Sequence, residues 1–330
     1  MSFKQLNKPN APRIGTAKMN RITRREFLYS TSAATAGVTG INWLEAGKSA
    51  RPKLTLGFSL YGMPHLKTEQ AIQDVAKIGY DSVELCLMDQ WDATPLKLNA
   101  KRRQEVSKKM NDTGLKLTSL MEHCSLPGSK TSQQKVLDRL KRAAELGHTL
   151  KPVHSPLIET TAGSGKWDAL KNEMRDNLGA WARIAESTKT IIAVKPHRGG
   201  VVDRPEQGVW LVQQIDSPWI RLNYDYSHFT HRNISLEGSM RTMMPFTSLI
   251  QVKDTIKKDN KVHFVLPGES GEIDYSKLLK LAVQAGYQGD ICCEVSSMVF
   301  KQKGYDPIVA AKTCYQNLAP AFEKAGISRG

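Results

Sequence analysis

From Leu54 onward, short apolar segments rich in β-branched residues alternate eight times with longer segments of helical periodicity. The short segments predict strands, namely Leu54–Tyr61, Ser82–Leu87, Leu115–Met121, Thr149–Ser155, Thr190–Lys195, Ile220–Asp225, Leu249–Lys253 and Asp290–Val295. The longer segments predict helices, namely Thr68–Gly79, Ala100–Thr113, Gln133–Leu146, Lys166–Glu186, Pro205–Ile215, Leu236–Met244, Tyr275–Ala285 and Pro307–Ala325. Regular alternation of strand and helix is typical of parallel βα units.

Eight such units predict an α/β fold, a single (β/α)8 TIM barrel, which needs about 250 residues. The chain has 330 residues, so we expect a barrel over residues 51–330 and an extension over residues 1–50. The alternative is an open, doubly wound sheet, which typically carries a glycine-rich phosphate loop after its first strand. Gly57 and Gly62 do not form such a loop.

The N-terminal 50 residues resemble an export signal. Arg24 and Arg25 precede Phe27, in the manner of a twin-arginine motif, and a weakly apolar stretch follows over residues 30–41. That stretch is too short and too polar for a permanent membrane span. We therefore expect a disordered twin-arginine signal peptide, the twin-arginine translocase as a partner, and a periplasmic or otherwise extracytoplasmic protein.

The net charge of +15 is unevenly distributed. Residues 1–53 contain ten basic and two acidic residues, so +8 lies there and +7 in the rest. A moderately basic domain suits an anionic substrate, or solubility alone. Because no basic run interleaved with aromatic residues follows residue 53, nucleic acid is not an expected partner. The five cysteines include no CxxC motif, which indicates neither a disulfide framework nor a structural zinc site.

Polar residues cluster where the predicted strands end, which is where (β/α)8 barrels place their active sites. They are Glu84, Glu122, His123, His154, Lys195, His197, Asp225, His228, Lys253, Asp254 and Glu294. A carboxylate inside a barrel is costly unless it is paired or binds a metal, so Asp225 and Glu294 are the strongest candidates. The alternative explanation of each is an ion pair with Lys195 or Lys253.

Four segments, DYSHF, QVKD, LPGESGEIDYSKLLKLAVQAGYQGD and CCEVS, resemble the C-terminal half of the sugar phosphate isomerase/epimerase family. That family has a xylose isomerase-like barrel. The resemblance follows the strand–helix rhythm over residues 53–326 and is most specific over residues 191–297. It implies a sugar or polyol isomerase or epimerase that abstracts a proton next to a carbonyl and passes through an enediolate, with help from a metal.

The resemblance also implies a metal site that this chain alters. Metal-dependent members use a Glu on the fifth strand, an Asp on the sixth, a His on the seventh and a Glu on the eighth. The matching residues here are Lys195, Asp225, Gln251 and Glu294. One interpretation keeps Mn²⁺, Zn²⁺ or Fe²⁺ on Asp225, Glu294 and His197, with help from other histidines. The second gives the place of the ion to the Lys195 ammonium group.

These considerations assign expected roles. The catalytic candidates are Glu294, as base or bridging ligand, together with Asp225, Lys195 and Lys253. The candidates for substrate contact are His228, His197, His154 and Glu84. Lys253 is expected to act as an electrostatic clamp, or instead to pair with Asp254.

Three other functions stay open at this point. The same proton abstraction would begin a lyase or dehydratase reaction on an inositol- or shikimate-type ring. The loss of two ligand positions also suits a non-catalytic carbohydrate-binding barrel. A nuclease of the apurinic endonuclease type shares the fold, and it would need a multi-metal cluster of His, Asp and Glu.

Overall fold

Eight parallel strands close into a barrel in chain order in the computed structural model, which describes residues 53–124, 130–150 and 155–330. The barrel strands are β1 (Lys53–Ser59), β2 (Ser82–Cys86), β3 (Lys116–Met121), β4 (Leu157–Thr161), β5 (Ile191–Lys195), β6 (Ile220–Tyr224), β7 (Thr247–Val252) and β10 (Asp290–Cys293). Strand β10 closes the ring by pairing in parallel with β1, from Thr55↔Asp290 to Phe58↔Cys293. The predicted (β/α)8 barrel is confirmed.

The helices surround the strands. They are α1 (Thr68–Ile78), α2 (Ala100–Thr113), α3 (Lys130–Leu150), α4 (Trp167–Thr188), α5 (Pro205–Ile215), α6 (Leu236–Met243), α7 (Tyr275–Gln284), the short α8 (Ser297–Phe300) and α9 (Pro307–Ala325). Their ends follow from local chemistry. Asn99 caps α2 by accepting from the backbone N–H of Arg102, and Gly114 ends it in the left-handed region at φ 72°. Among the described residues, no helix is long and apolar enough to cross a membrane.

Besides the short helix α8, a hairpin and a final strand were not predicted from the sequence. An antiparallel hairpin, β8 (Asp254–Lys258) and β9 (Lys261–Val265), follows the seventh barrel strand. Asp259 and Asn260 form its turn with φ of 51° and 57°, the left-handed conformations that a two-residue hairpin loop needs. A final strand, β11 (Ser328–Arg329), pairs with the start of β1.

The predicted fourth strand, Thr149–Ser155, is wrong. Helix α3 continues through Gly147 to Leu150, and the strand begins only at Leu157. Gly147 does not end the helix. It lies where the helix packs closely against Pro156. A Cβ atom there would lie 2.5 Å from Cβ of Pro156. The remaining seven predicted strands overlap observed strands.

The interior of the barrel is polar at its C-terminal half, whereas the apolar core lies mainly between the strands and the helices. Fully buried polar side chains from five strands share this interior: Glu84, Ser119, Glu159, Asn223 and Gln251. Buried polar groups require hydrogen-bond partners, so their connections define the site. The expected signal over residues 1–50, with Arg24 and Arg25, lies outside the described residues.

Candidate active site at the C-terminal mouth

Seven side chains, alternately basic and acidic, form a continuous chain across the C-terminal end of the barrel. In order they are His123, Glu159, Lys195, Glu294, Lys253, Asp225 and His228, and we call them the mouth chain. The successive N···O distances are 3.3, 3.1, 2.8, 2.8, 3.1 and 3.4 Å. The side chain of His123 is 25% exposed, and the other six are 5% exposed or less.

Asp225 is positioned by the turn that follows β6. Its Oδ1 accepts from the backbone N–H of Ser227 at 3.1 Å and from the Ser227 hydroxyl at 2.6 Å. This leaves Oδ2 directed at Lys253 Nζ, 3.1 Å away. Burial acts to raise the pKa of Asp225, but Lys253 and then His228 lower it well below its ordinary value. Asp225 is therefore an ionised anchor for Lys253.

Lys195 lies at the centre of the mouth chain, with 1% of its side chain exposed. Its Nζ contacts Gln251 Oε1 at 2.6 Å, Glu294 Oε2 at 2.8 Å and Glu159 Oε1 at 3.1 Å. Two of these contacts, to Gln251 and Glu294, are hydrogen bonds, and the contact with Glu159 is an ion pair. Burial alone would lower the pKa of Lys195, but the charges of Glu159 and Glu294 raise it well above its ordinary value. Lys195 is thus a fixed cation and not a free amine.

Glu294 bridges the two lysines of the mouth chain. Its Oε1 lies 2.8 Å from Lys253 Nζ, and its Oε2 lies 2.8 Å from Lys195 Nζ. Burial acts to raise the pKa of Glu294, but the two ammonium groups lower it far more. The ion pairs offered above as the alternative explanation of Asp225 and Glu294 are therefore present.

The alternative expectation, that Lys253 pairs with Asp254, is wrong. Asp254 instead accepts from the Ser270 hydroxyl at 2.6 Å and from the backbone N–H of Thr255 at 2.8 Å. Lys253 points into the mouth, where its Nζ also lies 5.3 Å from the centre of the Phe264 ring on the hairpin. Lys253 contacts Asp225 and Glu294 there, and its role as an electrostatic clamp stays a prediction.

Gln251 connects the mouth chain to the interior beneath it. Its Oε1 accepts from Asn223 Nδ2 at 2.6 Å, in addition to Lys195, and its Nε2 donates to Glu84 Oε1 at 2.9 Å. Burial, and then the charge of Glu159, raises the pKa of Glu84 to about 8. Glu84 was expected to contact substrate, but it is fully buried below Gln251. It therefore supports the site from underneath.

The predicted histidines occupy different positions. His228 is fully buried, and burial, followed by the charge of Lys253, lowers its pKa to about 4. His197 is half-buried with its ring 4.0 Å from that of His228, and burial and His228 depress its pKa. Its Nδ1 lies 2.9 Å from the carbonyl oxygen of Arg198, so Nδ1 carries the proton. His154 lies outside the described residues.

Sequence reasoning missed Glu159, because it placed the fourth strand too early. The segment that forms the strand, Leu157–Thr161, follows Pro156 and is rich in β-branched residues, and Gly163 follows it closely. Those are ordinary strand signals. Glu159 in turn gives His123 a clear position, because it holds the imidazole Nε2 at 3.3 Å.

An aromatic wall borders the mouth beside His123. The ring of Tyr61 stacks on Trp91 at 5.1 Å and meets Phe300 edge-on at 5.0 Å. Burial, and then the charge of Glu294, raises the pKa of Tyr61 to about 12, so its hydroxyl stays protonated. Such a wall suits the apolar face of a sugar ring, although the same rings also pack against each other.

The residues at this centre do not fit a divalent cation. The three oxygens that would surround it, from Glu159, Gln251 and Glu294, already surround Lys195 Nζ at 2.6–3.1 Å. The other carboxylate of the expected set, Asp225, is held by Lys253. Across residues 53–124, 130–150 and 155–330, no group of three or more His, Cys, Asp or Glu side chains is arranged to hold a metal ion.

Solved structures share this fold. A xylose isomerase-like TIM barrel protein from Mycobacterium smegmatis, in complex with magnesium, is 15% identical, with a TM-score of 0.64 over 82% of this chain and 97% of that one. A D-psicose 3-epimerase, crystallised in the presence of D-fructose, is 14% identical, with a TM-score of 0.67 over 83% of this chain and 100% of that one. At these identities the likeness concerns the fold alone.

Curated relatives match over shorter regions. A provisionally named hydroxypyruvate isomerase of Mus musculus is 30% identical over 93 residues, which are 28% of this chain and 31% of that protein. Its counterpart from Danio rerio is 25% identical over 152 residues, 43% of this chain and 52% of that protein. The chain thus spans between about a third and about half of the length of these relatives.

A protein-family model extends the likeness over most of the barrel. The model that describes the xylose isomerase-like TIM barrel matches residues 72–313, from α1 into α9. This range includes every member of the mouth chain and β2 to β10. The chain belongs to the xylose isomerase-like TIM barrel family.

Proposed function

We propose that the mouth chain catalyses isomerisation or epimerisation of a sugar, a polyol or a related hydroxyketone by proton transfer next to a carbonyl. One observation carries the proposal. Glu294 lies between two ammonium groups, each 2.8 Å away, at the end of the barrel where enzymes of this fold work. Cations that are fixed in place before the reaction stabilise the negative oxygens of an enediolate without reorganising.

Glu294 is the proposed first base. In the free protein, its two ion pairs hold the carboxylate in its ionised form. Substrate oxygens that approach Lys195 and Lys253 would share those N–H donors. The carboxylate would then lose part of its stabilisation, and its pKa would rise toward that of a working base.

His123 is the proposed second acid or base. Isomerisation and epimerisation both return a proton to a different carbon or to a different face. His123 is the most exposed member of the mouth chain, and Glu159 orients its ring at 3.3 Å. An imidazole that a carboxylate holds in place is a common proton carrier. The adjacent Tyr61 and Trp91 would align the sugar ring between the two groups.

The relatives support this class of reaction. The curated relatives are named as hydroxypyruvate isomerases, and the structural neighbours include 3-epimerases that act on ketoses. Another neighbour is a probable 3-DHS dehydratase from Bacillus anthracis, which is 14% identical. Elimination begins with the same proton abstraction, so the product of the reaction separates the two classes.

Solvent exchange tests the proposal. Residues 51–330 would be incubated in D₂O with hydroxypyruvate, D-fructose or D-psicose and followed by proton NMR. We expect deuterium at the carbon next to the carbonyl, and a rate at least about 100-fold lower in Glu294→Gln, as general-base removal typically gives. Glu272→Gln, at an exposed position, should retain the wild-type rate.

Other products would redirect the assignment. An unsaturated carbonyl product would indicate a dehydratase or lyase. Saturable sugar binding with neither exchange nor turnover would contradict the proposal and favour a carbohydrate-binding barrel. Circular dichroism of Glu294→Gln must first show the wild-type spectrum, because the side chain is buried and paired.

A further inference from the structure

The oxygens around Lys195 have the arrangement of a cation site. Three oxygens, from residues on or next to β4, β7 and β10, converge on Nζ at 3.1, 2.6 and 2.8 Å. Two of them are carboxylate oxygens and one is an amide oxygen. The surroundings are almost free of solvent, since the side chain is 1% exposed. The chain fills this site with a cation of its own.

We propose that the ammonium group of Lys195 takes the place of a divalent metal ion, so that the site binds no such ion and Lys195 is the electrophile that polarises the substrate oxygen. The catalytic half of this assignment rests on the proposed function. The binding half does not, because it follows from the occupied volume and from charge. A divalent ion among the same three oxygens would need the space that Nζ occupies. The charge of the ammonium group would also repel it at short distance.

The residue at the next position supports the same interpretation. Gln251 accepts from Lys195 through Oε1 and donates to Glu84 through Nε2. Oε1 also accepts from Asn223 Nδ2. An imidazole nitrogen has one lone pair and could accept from only one of these two donors, whereas the amide oxygen accepts from both. Gln251 therefore suits an ammonium group at the position of Lys195.

Lys253 supplies a second fixed cation. It compensates Asp225 and the second oxygen of Glu294, so the carboxylates Glu159, Asp225 and Glu294 face two buried ammonium groups. A metal ion would have to displace one of these groups into a low-dielectric interior, where an unpaired charge is costly. The existing ion pairs thus oppose the entry of a divalent cation.

Calorimetric titration with Mn²⁺ tests the binding half. We expect wild-type protein to bind Mn²⁺ with a Kd no tighter than about 1 mM. The double variant Lys195→Glu with Gln251→His supplies two ligands and removes the ammonium, and should bind at least about 100-fold more tightly. Lys195→Met removes the charge without adding a ligand, so its affinity should lie between those of wild type and the double variant.

Two results would overturn the proposal. One is tight Mn²⁺ binding by wild-type protein. The other is a folded double variant that binds no better than wild type. If the double variant does not fold, wild-type protein purified without chelator decides the matter. Less than about 0.1 mole of divalent metal per mole, with thermal unfolding that EDTA leaves unchanged, supports the proposal, and a stoichiometric metal contradicts it. No substrate enters these measurements, so they are independent of the isomerase assay.

Discussion

At the scale of single residues, the site has to stabilise several buried carboxylates. An unpaired charge is seldom tolerated in a protein interior, and this barrel uses two solutions. Glu159, Asp225 and Glu294 stay ionised because ammonium groups lie beside them. Glu84 has no such partner among the described residues, and burial and the charge of Glu159 instead raise its pKa to about 8. Glu84 is therefore protonated at neutral pH.

That protonation predicts a dependence of stability on pH. The pKa of Glu84 is about 8 in the folded protein and 4.5 ordinarily, so between these values the unfolded chain loses a proton that the folded chain keeps. The stabilisation is complete below pH 4.5 and is lost as pH rises toward 8, by about 1.4 kcal/mol per pH unit. Glu84→Gln lacks this titration.

Urea unfolding of wild type and Glu84→Gln at about pH 5, 6.5 and 8, which spans the interval between the two pKa values, measures the difference. The free energy of unfolding of the wild type should fall relative to that of the variant as pH rises. The new amide oxygen in Glu84→Gln can still accept from Gln251, so the comparison isolates the proton. Parallel pH profiles would show that Glu84 titrates normally in the fold.

At the scale of elements, the sequence predicts what periodicity controls. It locates the regular strands and the amphipathic helices close to their observed limits, and the ends of those strands supply Lys195, Asp225, Lys253 and Glu294. The fourth strand was predicted too early in the sequence, because a glycine such as Gly147 commonly ends a helix. A glycine that permits close packing and a glycine that ends a helix look alike in sequence, and only the neighbour across the contact, Pro156, separates them.

Two glycine substitutions test this interpretation. Gly147→Ala places a Cβ 2.5 Å from Pro156 and 3.0 Å from Leu120 Cδ1, so we expect a loss of about 1–3 kcal/mol of stability from overpacking. Gly179→Ala in α4 meets no atom within 4 Å, and it should gain about 0.5–1 kcal/mol from helix propensity. Thermal unfolding of both variants provides the comparison. Equal shifts would show that Gly147 is not a packing glycine.

The hairpin shows a second limit of sequence reasoning. Asp259 and Asn260 between two segments with β-branched residues fit a hairpin turn, but the first segment, Asp254–Lys258, lacks apolar alternation. The sequence also could not identify the ion-pair partners of individual charged residues. Lys253 was as plausible beside Asp254 as beside Asp225, and only the three-dimensional position of β6 decides between them.

At the scale of the whole molecule, we propose that the protein is exported through the twin-arginine pathway. The support is the pair Arg24 and Arg25 with the weakly apolar stretch after them, which lie outside the described residues. Changing both arginines to lysine should leave folded protein in the cytoplasm, because the motif and not its charge is read. Cell fractionation of wild type and variant measures this, and normal export of the variant would refute the assignment.

The position of Glu294 also has a consequence for how the barrel closes. Strand β10 is the last barrel strand along the chain, and it completes the ring between β7 and β1. Until it docks, Lys195 and Lys253 lack the carboxylate that they share. A slip of β10 by two residues would keep its faces but would bring Cys292 or Ser296 to that place. Neither side chain could neutralise two cations. The ion pairs of Glu294 therefore favour the observed register of β10 when the barrel closes.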